Sequence, residues 1–476
     1  RSNLLIYSLL ACLLTSSATS YKILVYNPTI GHSHNNFLGR IADILVEAGH
    51  DTSLIPIMET DVADGTEKSK IIRVEMDPEV KKFYENAPSD GDDANLFLID
   101  MFHPVAPFIM GDAMSVVFGA TCKGIVHNDE LMQQLRDDKY DVYISENFDV
   151  CGIGLASAIA PKSTISVSST CLSAWMFDEF GVEQALSYRP SLLISDLNVH
   201  SMLSRLRNIY AEVLDRVMYG YSRFEVNRVL RERFGNDYPT TEEQLSKVAY
   251  VFTNSEPLIE TAAPTTSRVI DVPGIGMKAP KALDEYWEGV MNRRSKTVLI
   301  SFGSIAKSIQ LPTQSKMGIL KAIARFPDIT FIWKYELPED EFCAEHASKA
   351  ANLVIIKWMP QNDLLNHDKL SLFITHGGMG STQETAARGV PAIFVPIFGD
   401  QPRNAGLMQL NGFGRVYDKF ELHDDEKLAA TLKEVLENTS YSENAKRISK
   451  MIARKPFASK DLLIKHVEFA AEFGMF

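Results

Sequence analysis

The 476-residue sequence has no excess of positive charge: 48 lysines and arginines stand against 61 acidic residues, a net charge of −13. An acidic surface repels phosphate backbones, which argues against nucleic-acid binding and leaves any anionic ligand to local features such as helix N-termini. Cysteine is scarce. The five present, Cys12, Cys122, Cys151, Cys171 and Cys343, form no C-x-x-C pair and no zinc spacing. An oxidising lumen permits a disulfide among the last four without specifying which. Internal repeats and low-complexity tracts are lacking. No G-x-G-x-x-G follows the first apolar strand, which argues against a nicotinamide dehydrogenase. Beyond the first twenty residues no long run is uninterrupted. The most apolar, 94–120, is broken by Asp100, His103, Pro104, Pro107 and Asp112, and reads as a core segment rather than a span.

What is present begins with a targeting signal. Arg1 precedes an apolar run from Leu4 to Leu14, and Ala18-Thr19-Ser20 supplies small residues before Tyr21. Residues 1–20 therefore read as a secretory signal peptide, with the mature chain starting near Tyr21. Asn438-Thr439-Ser440 is an N-glycosylation sequon usable in that compartment.

Two α/β halves follow, as the length requires. Lys22 to Asn27 reads as a strand, Asn27 to Gly31 as a loop, and Phe37, Ile41, Leu45 and Ala48 mark a helix ended by Gly49. Thr52 to Ile57 is the next strand, completing a β-α-β unit of a parallel sheet. Tyr140 to Ser145, Thr164 to Val167 and Ala249 to Thr253 add strands, and residues 201–234 read as helix. Pro264, Pro273, Gly274, Gly276 and Pro280 break the pattern. In the second half, Thr297–Ser301, Ile329–Tyr335, Leu353–Trp358, Leu372–Thr375 and Ala392–Pro396 alternate with helices, and the chain is helical from Asp424. The expected fold is α/β: two doubly wound Rossmann-like domains facing a cleft. An N-terminal acceptor-binding domain occupies 21–275, a linker 276–292 and a C-terminal domain 293–450. The helix in 451–476 packs back toward the first domain.

The densest chemistry lies between Trp358 and Gln401. The Trp358 indole suits stacking on a nucleobase, and the Gln361 amide suits a ribose or base edge. In Thr375-His376-Gly377-Gly378-Met379-Gly380-Ser381, a strand runs into a helix. Gly378 and Gly380 allow close approach, and Ser381 lies at a helix N-terminus suited to a diphosphate, with His376 as an added donor. Glu384, one turn on, suits the two ribose hydroxyls. Asp400 and Gln401 follow a strand and suit sugar hydroxyls. In the first half, His32 and His34 fall in the loop after the first strand; from the residues alone, either suits a general base.

The window from Trp358 to Gln401 resembles the signature of UDP-glycosyltransferases, including the UDP-glucuronosyltransferases of animals, over 44 positions without a gap. Ser301-Phe302-Gly303-Ser304 resembles the family's strand-to-loop element. The resemblance extends to about Phe473 and implies the GT-B architecture. It implies that Trp358 stacks on uracil, that Gln361 contacts the nucleoside, and that Ser304 lies near the phosphates. It further implies that His376, Gly380 and Ser381 hold the diphosphate beside Gly378, that Glu384 holds the ribose, and that Asp400 and Gln401 read the sugar. The family places its base in a Ser-His pair, which Ser33-His34 matches, so His34 is the expected base. The family's aspartate partner is replaced by Glu146, at the end of the strand before Cys151; Asp149 is the second candidate partner.

The resemblance implies metal-independent single displacement with inversion, moving glucuronate or glucose from a UDP-sugar co-substrate to a small lipophilic acceptor. No metal ligands and no cofactor beyond the UDP-sugar are expected. Asp90-Gly91-Asp92 has the form of a metal-binding D-x-D motif but follows a polar run and reads as an exposed acidic loop. Arg403 is the basic residue nearest the sugar-reading pair, either a reader of the glucuronate carboxylate or a solvated helix residue. The acceptor pocket is expected from the first half, lined by parts of the stretch from Leu96 to Phe118. Animal members usually continue into a membrane-spanning helix and a basic tail, and no such segment follows Phe476. The expected location is the endoplasmic-reticulum lumen, membrane-associated in full-length relatives, or outside the cell. Glu146 and the missing anchor also admit a non-catalytic lumenal partner of anchored relatives. A homo-oligomer is compatible with the sequence, and nucleic acid is not an expected partner.

Overall fold

The protein is seen in a computed structural model that describes residues 20–28, 32–57, 65–75, 77–86, 95–182 and 184–475. The signal segment and Asp90-Gly91-Asp92 lie outside the described residues.

Two parallel sheets carry the molecule. The first comprises β1 (Lys22–Pro28), β2 (Asp51–Ile57), β3 (Lys70–Ile71), β4 (Val142–Glu146), β5 (Ser163–Ser168), β6 (Tyr250–Thr253) and β7 (Val269–Asp271). Its order is β3-β2-β1-β4-β5-β6-β7. The second comprises β8 (Lys296–Ser301), β9 (Ile329–Lys334), β10 (Leu353–Ile356), β11 (Leu370–Thr375), β12 (Ala392–Phe394) and β13 (Gly414–Val416), in the order β10-β9-β8-β11-β12-β13. Ile23, Leu24 and Val25, like Val298, Leu299 and Ile300, are buried in unbroken runs, as strands covered on both faces require. In each sheet the strand order reverses beside the first strand. The reversal lies between β1 and β4 in one sheet and between β8 and β11 in the other, and such crevices are where open α/β sheets bind ligands.

Three short strands, β3, β7 and β13, escaped the sequence reading, since two or three residues carry no period. β7 falls between the proline-rich breaks, and the expected linker range holds a helix, Glu285–Met291. Trp287, Val290 and Met291 of that helix join the core of the second sheet.

The apolar stretch before residue 120 divides. Phe97 packs edge-on against Phe302, 5.7 Å between rings, in the core of the second domain rather than in an acceptor pocket. From Ala106 to Val126 the chain forms a helix long and apolar enough to cross a bilayer, yet half of it is buried in the protein. It packs along the helix Met202–Phe234. A Cβ on Gly111 would lie 2.9 Å from the Met218 carbonyl, so glycine sets this close approach. The disulfide Cys122–Cys151 ties the first of these helices to the short helix Val150–Gly154 after β4.

The domains are locked together. Arg403 holds both carboxylate oxygens of Glu260 at 3.0 and 2.5 Å and donates to the Pro190 carbonyl. The ammonium of buried Lys419 donates to the carbonyls of Leu96, Ile99 and Ile397, and burial lowers its pKa to about 8. The last helix, Ser459–Phe473, buries Leu463, Val467, Ala470 and Ala471 beside Ile23, Phe37 and Val142 of the first domain.

Candidate active site

At the first switch point the helix begins at His32, so His34 sits in its first turn rather than in a loop. This turn brings Ser33 and His34 onto the crevice ahead of the apolar stripe. His34 is 12% exposed. Its Nδ1 lies 2.7 Å from the Ser169 hydroxyl and 3.4 Å from Glu146 Oε2. Glu146 is the last residue of β4 and is wholly buried. Its Oε1 accepts from the Ser169 backbone N–H at 3.3 Å, and its Oε2 has no hydrogen-bond partner. Ser169 directly follows β5. Thus β1, β4 and β5, neighbours in the sheet, each deliver one member of a His–Ser–Glu constellation from their carboxyl ends.

Ser169 was missed in the sequence because Ser168-Ser169-Thr170 has no motif; its position one residue beyond a parallel strand was the signal available. Asp149 is not the histidine's partner. It accepts from the Tyr26 hydroxyl at 2.6 Å and caps the following helix at Cys151 N–H. Burial raises its pKa to about 6.

At the second switch point, His376 follows β11 and is wedged between two glycines. A Cβ on Gly303 would lie 2.7 Å from its Nε2, and one on Gly378 2.6 Å. Gly303 also adopts φ +92°, so both space and backbone select glycine there. Burial, helped by Lys334, lowers the His376 pKa to about 4, and its buried Nδ1 has no partner. The imidazole is therefore neutral at pH 7. Lys334 donates to the Gly303 carbonyl at 2.5 Å, and its ammonium lies 5.6 Å from the Trp358 ring centre. Trp358 stands two residues beyond β10 and is 62% exposed, a large apolar face turned outward. Gln361 donates to Glu384 at 2.6 Å and to Ser381 at 3.3 Å, which draws three expected donor-site residues into one cluster. Burial raises the Glu384 pKa. Gly378 caps the helix Met379–Arg388 with extended backbone, leaving the N–H groups of its first turn, including Gly380 and Ser381, at the crevice. Ser304 follows Gly303 at the crevice rim, half-buried.

Asp400 and Gln401, the pair expected to read the sugar, lie at the start of the helix Gln401–Leu410. Gln401 Oε1 accepts from the N–H groups of Ile397 and Phe398, which fixes the loop. Asp400 accepts from Asn404 at 2.7 Å, and Asn404 also donates to the Gly377 carbonyl. Burial raises the Asp400 pKa, opposed by Asn404 and by His34 facing it across the cleft. A Cβ on Gly380 would lie 4.0 Å from that of Ser33, so the two crevices meet. Arg403 corrects the reading from sequence on both counts. It is buried, not solvated, and its guanidinium is taken by Glu260, not presented to a sugar.

Two Rossmann-like domains with their switch points opposed define the GT-B glycosyltransferases. Os79 from O. sativa, solved in complex with U2F and trichothecene, superposes with a TM-score of 0.64 at 16% identity, covering 95% of this chain and all of that one. The glycotransferase of kitacinnamycin gives 0.62 at 16%, covering 96% and 99%. The family profile described as "UDP-glucoronosyl and UDP-glucosyl transferase" matches residues 22–473, and the chain belongs to that family. It is 29% identical to "Putative UDP-glucuronosyltransferase ugt-48" of Caenorhabditis elegans, over 95% of this chain and 86% of that one. It is 28% identical to UDP-glucuronosyltransferase 1A3 of Rattus norvegicus, over 75% and 65%. The protein is a glycosyltransferase that uses a UDP-sugar as co-substrate.

Proposed function

We propose that the protein transfers a hexosyl group, glucuronosyl or glucosyl, from UDP to a hydroxyl of a small lipophilic acceptor, with inversion and without a metal. The observation that carries this reading is His34 facing Asp400 across the cleft, with Ser33 against Gly380. His34 Nε2 takes the acceptor proton as the acceptor oxygen forms its bond to the anomeric carbon. The bond from that carbon to the UDP oxygen breaks, and UDP leaves with the electron pair. Acting as a base at Nε2 requires the proton on Nδ1, where the Ser169 oxygen accepts it and the Glu146 carboxylate favours the imidazolium that forms. Glu146 stands at the family's aspartate position, with its Oε2 3.4 Å from His34 Nδ1. On the donor side, Trp358 stacks on the base and Glu384 with Gln361 holds the nucleoside. Ser304, His376, Gly378, Gly380 and Ser381 hold the diphosphate, and Asp400 with Gln401 reads the sugar. Entry into the secretory pathway, with membrane association in full-length relatives, belongs to the same proposal.

Glucose is favoured as a second reading for the donor by one observation. The guanidinium closest in sequence to the sugar-reading pair is consumed by Glu260. The test is transfer from UDP-glucuronate and from UDP-glucose to simple phenols in EDTA, with product configuration read by NMR. A β-linked product in EDTA supports the mechanism. An α-linked product or loss of turnover in EDTA overturns it, and the faster donor decides the sugar. Absence of turnover with measurable UDP binding points to a non-catalytic binder.

A further inference from the structure

Behind His34 an aromatic wall leads into the first domain. The His34 and Phe148 rings are 5.3 Å apart, and Phe148 meets Phe118 and Tyr219, each at 5.7 Å. Tyr219 in turn meets Trp175 at 5.7 Å. One turn before Tyr219, on the helix Met202–Phe234, lies Asp215, wholly buried. Neither of its carboxyl oxygens makes a well-aligned hydrogen bond, although the Ser173 hydroxyl lies close enough to favour the charged form. The Trp175 indole N–H and the Arg223 Nε–H are buried and unpartnered as well, and the Arg223 guanidinium lies 4.4 Å from the Trp175 ring centre. Burial raises the Asp215 pKa well above the usual carboxyl range, with Glu212 adding and the Ser173 hydroxyl opposing. Glu212 itself is placed 3.4 Å from Arg216.

Orphaned buried groups are uncommon, and acceptors and donors orphaned together at the end of one aromatic wall call for a missing partner. A hydroxyl fits, because it donates and accepts at once. Through Phe148 on one side and Trp175 on the other, Tyr219 continues the aromatic wall from His34 toward Asp215. We propose that Asp215, with the Trp175 and Arg223 N–H groups, forms a distal acceptor subsite that takes a second hydroxyl at the far end of an aromatic acceptor. This rests on the transferase reading, which puts the acceptor at His34. Trp175 and Ser173 cover the subsite from the long connection between Ser168 and Met202. Among its described residues only Ala174–Asp178 is helical, and it is this connection that moves aside to admit the acceptor.

The test is binding by calorimetry, with UDP present, of 4,4′-dihydroxybiphenyl and of 4-phenylphenol to wild type, Asp215→Asn and Asp215→Leu. Wild type is expected to favour the diol by about tenfold, above the twofold advantage of two equivalent hydroxyls. Asp215→Leu is expected to reduce the preference to about that twofold factor, with Asp215→Asn between, and to melt no lower than wild type because it removes an unpaired buried acid. Equal or absent binding of the two phenols by wild type overturns the subsite. So does a preference that survives in Asp215→Leu, or a large fall in that variant's melting temperature with the preference intact. Turnover measured in parallel separates the two proposals: diol preference without product defeats the transferase mechanism alone, and product without diol preference defeats the subsite alone.

Discussion

In the second domain the residues assigned to the donor fall, apart from Ser304, inside one window from Trp358 to Gln401. The first domain instead gathers the residues assigned to proton transfer from positions 34, 146 and 169, at the carboxyl ends of β1, β4 and β5. Both sites sit at the switch point of a parallel sheet, so the architecture is the same. The difference lies in what each ligand demands. The residues assigned to the donor follow β10, β11 and β12, successive strands of the chain, and so fall close together in sequence. A proton relay needs three side chains within hydrogen-bonding distance, and adjacent strands supply them from distant positions.

His34→Ala sharpens the contrast most. It is expected to lower kcat by about 10²–10⁴-fold with UDP affinity retained, measured by steady-state kinetics and calorimetry; a change confined to KM would remove the base assignment. Arg403→Ala tests what joins the halves. It leaves Glu260 without its guanidinium and is expected to cost about 3 kcal/mol in denaturant unfolding. KM for UDP-glucuronate and UDP-glucose should change by one common factor, and a loss selective for UDP-glucuronate would restore the arginine to the sugar site.

pH separates the domains in another way. His376 has a pKa of about 4 when folded and roughly 6.5 unfolded. Between these values the unfolded chain holds the extra proton. Stability therefore falls as pH drops from about 6.5 toward 4, by up to roughly 3 kcal/mol. His376→Gln should flatten the decline in Tm between pH 7 and 5; an unchanged slope would place the cause in other groups. Ser169→Ala is expected to lower kcat about tenfold with little change in KM for the donor, as loss of one hydrogen bond to the base allows. Unaltered kcat would return the partnership to Glu146 alone. Trp358→Ala, the smallest, should raise KM for the UDP-sugar by up to about tenfold at nearly constant kcat.

Much of this was legible in the residues. The unbroken apolar runs of β1 and β8 announced buried parallel strands, and the glycines around His376 announced a backbone built for close approach. Other features were hidden for physical reasons. β3, β7 and β13 are too short to show a period, Phe97 crosses to the other domain's core, and Arg403 finds its partner 143 residues away.

The sequence by itself determined the two α/β halves and the donor window, because strand burial, helix periodicity and a strand-turn-helix site are local properties of the chain. Tertiary structure alone decided that Ser169 stands beside both His34 and Glu146, that Arg403 binds the domains together, and that Asp215 is buried without a well-aligned hydrogen bond. Each of these depends on which strand lies beside which and on what covers a side chain, and sheet order and burial are not written in any local pattern.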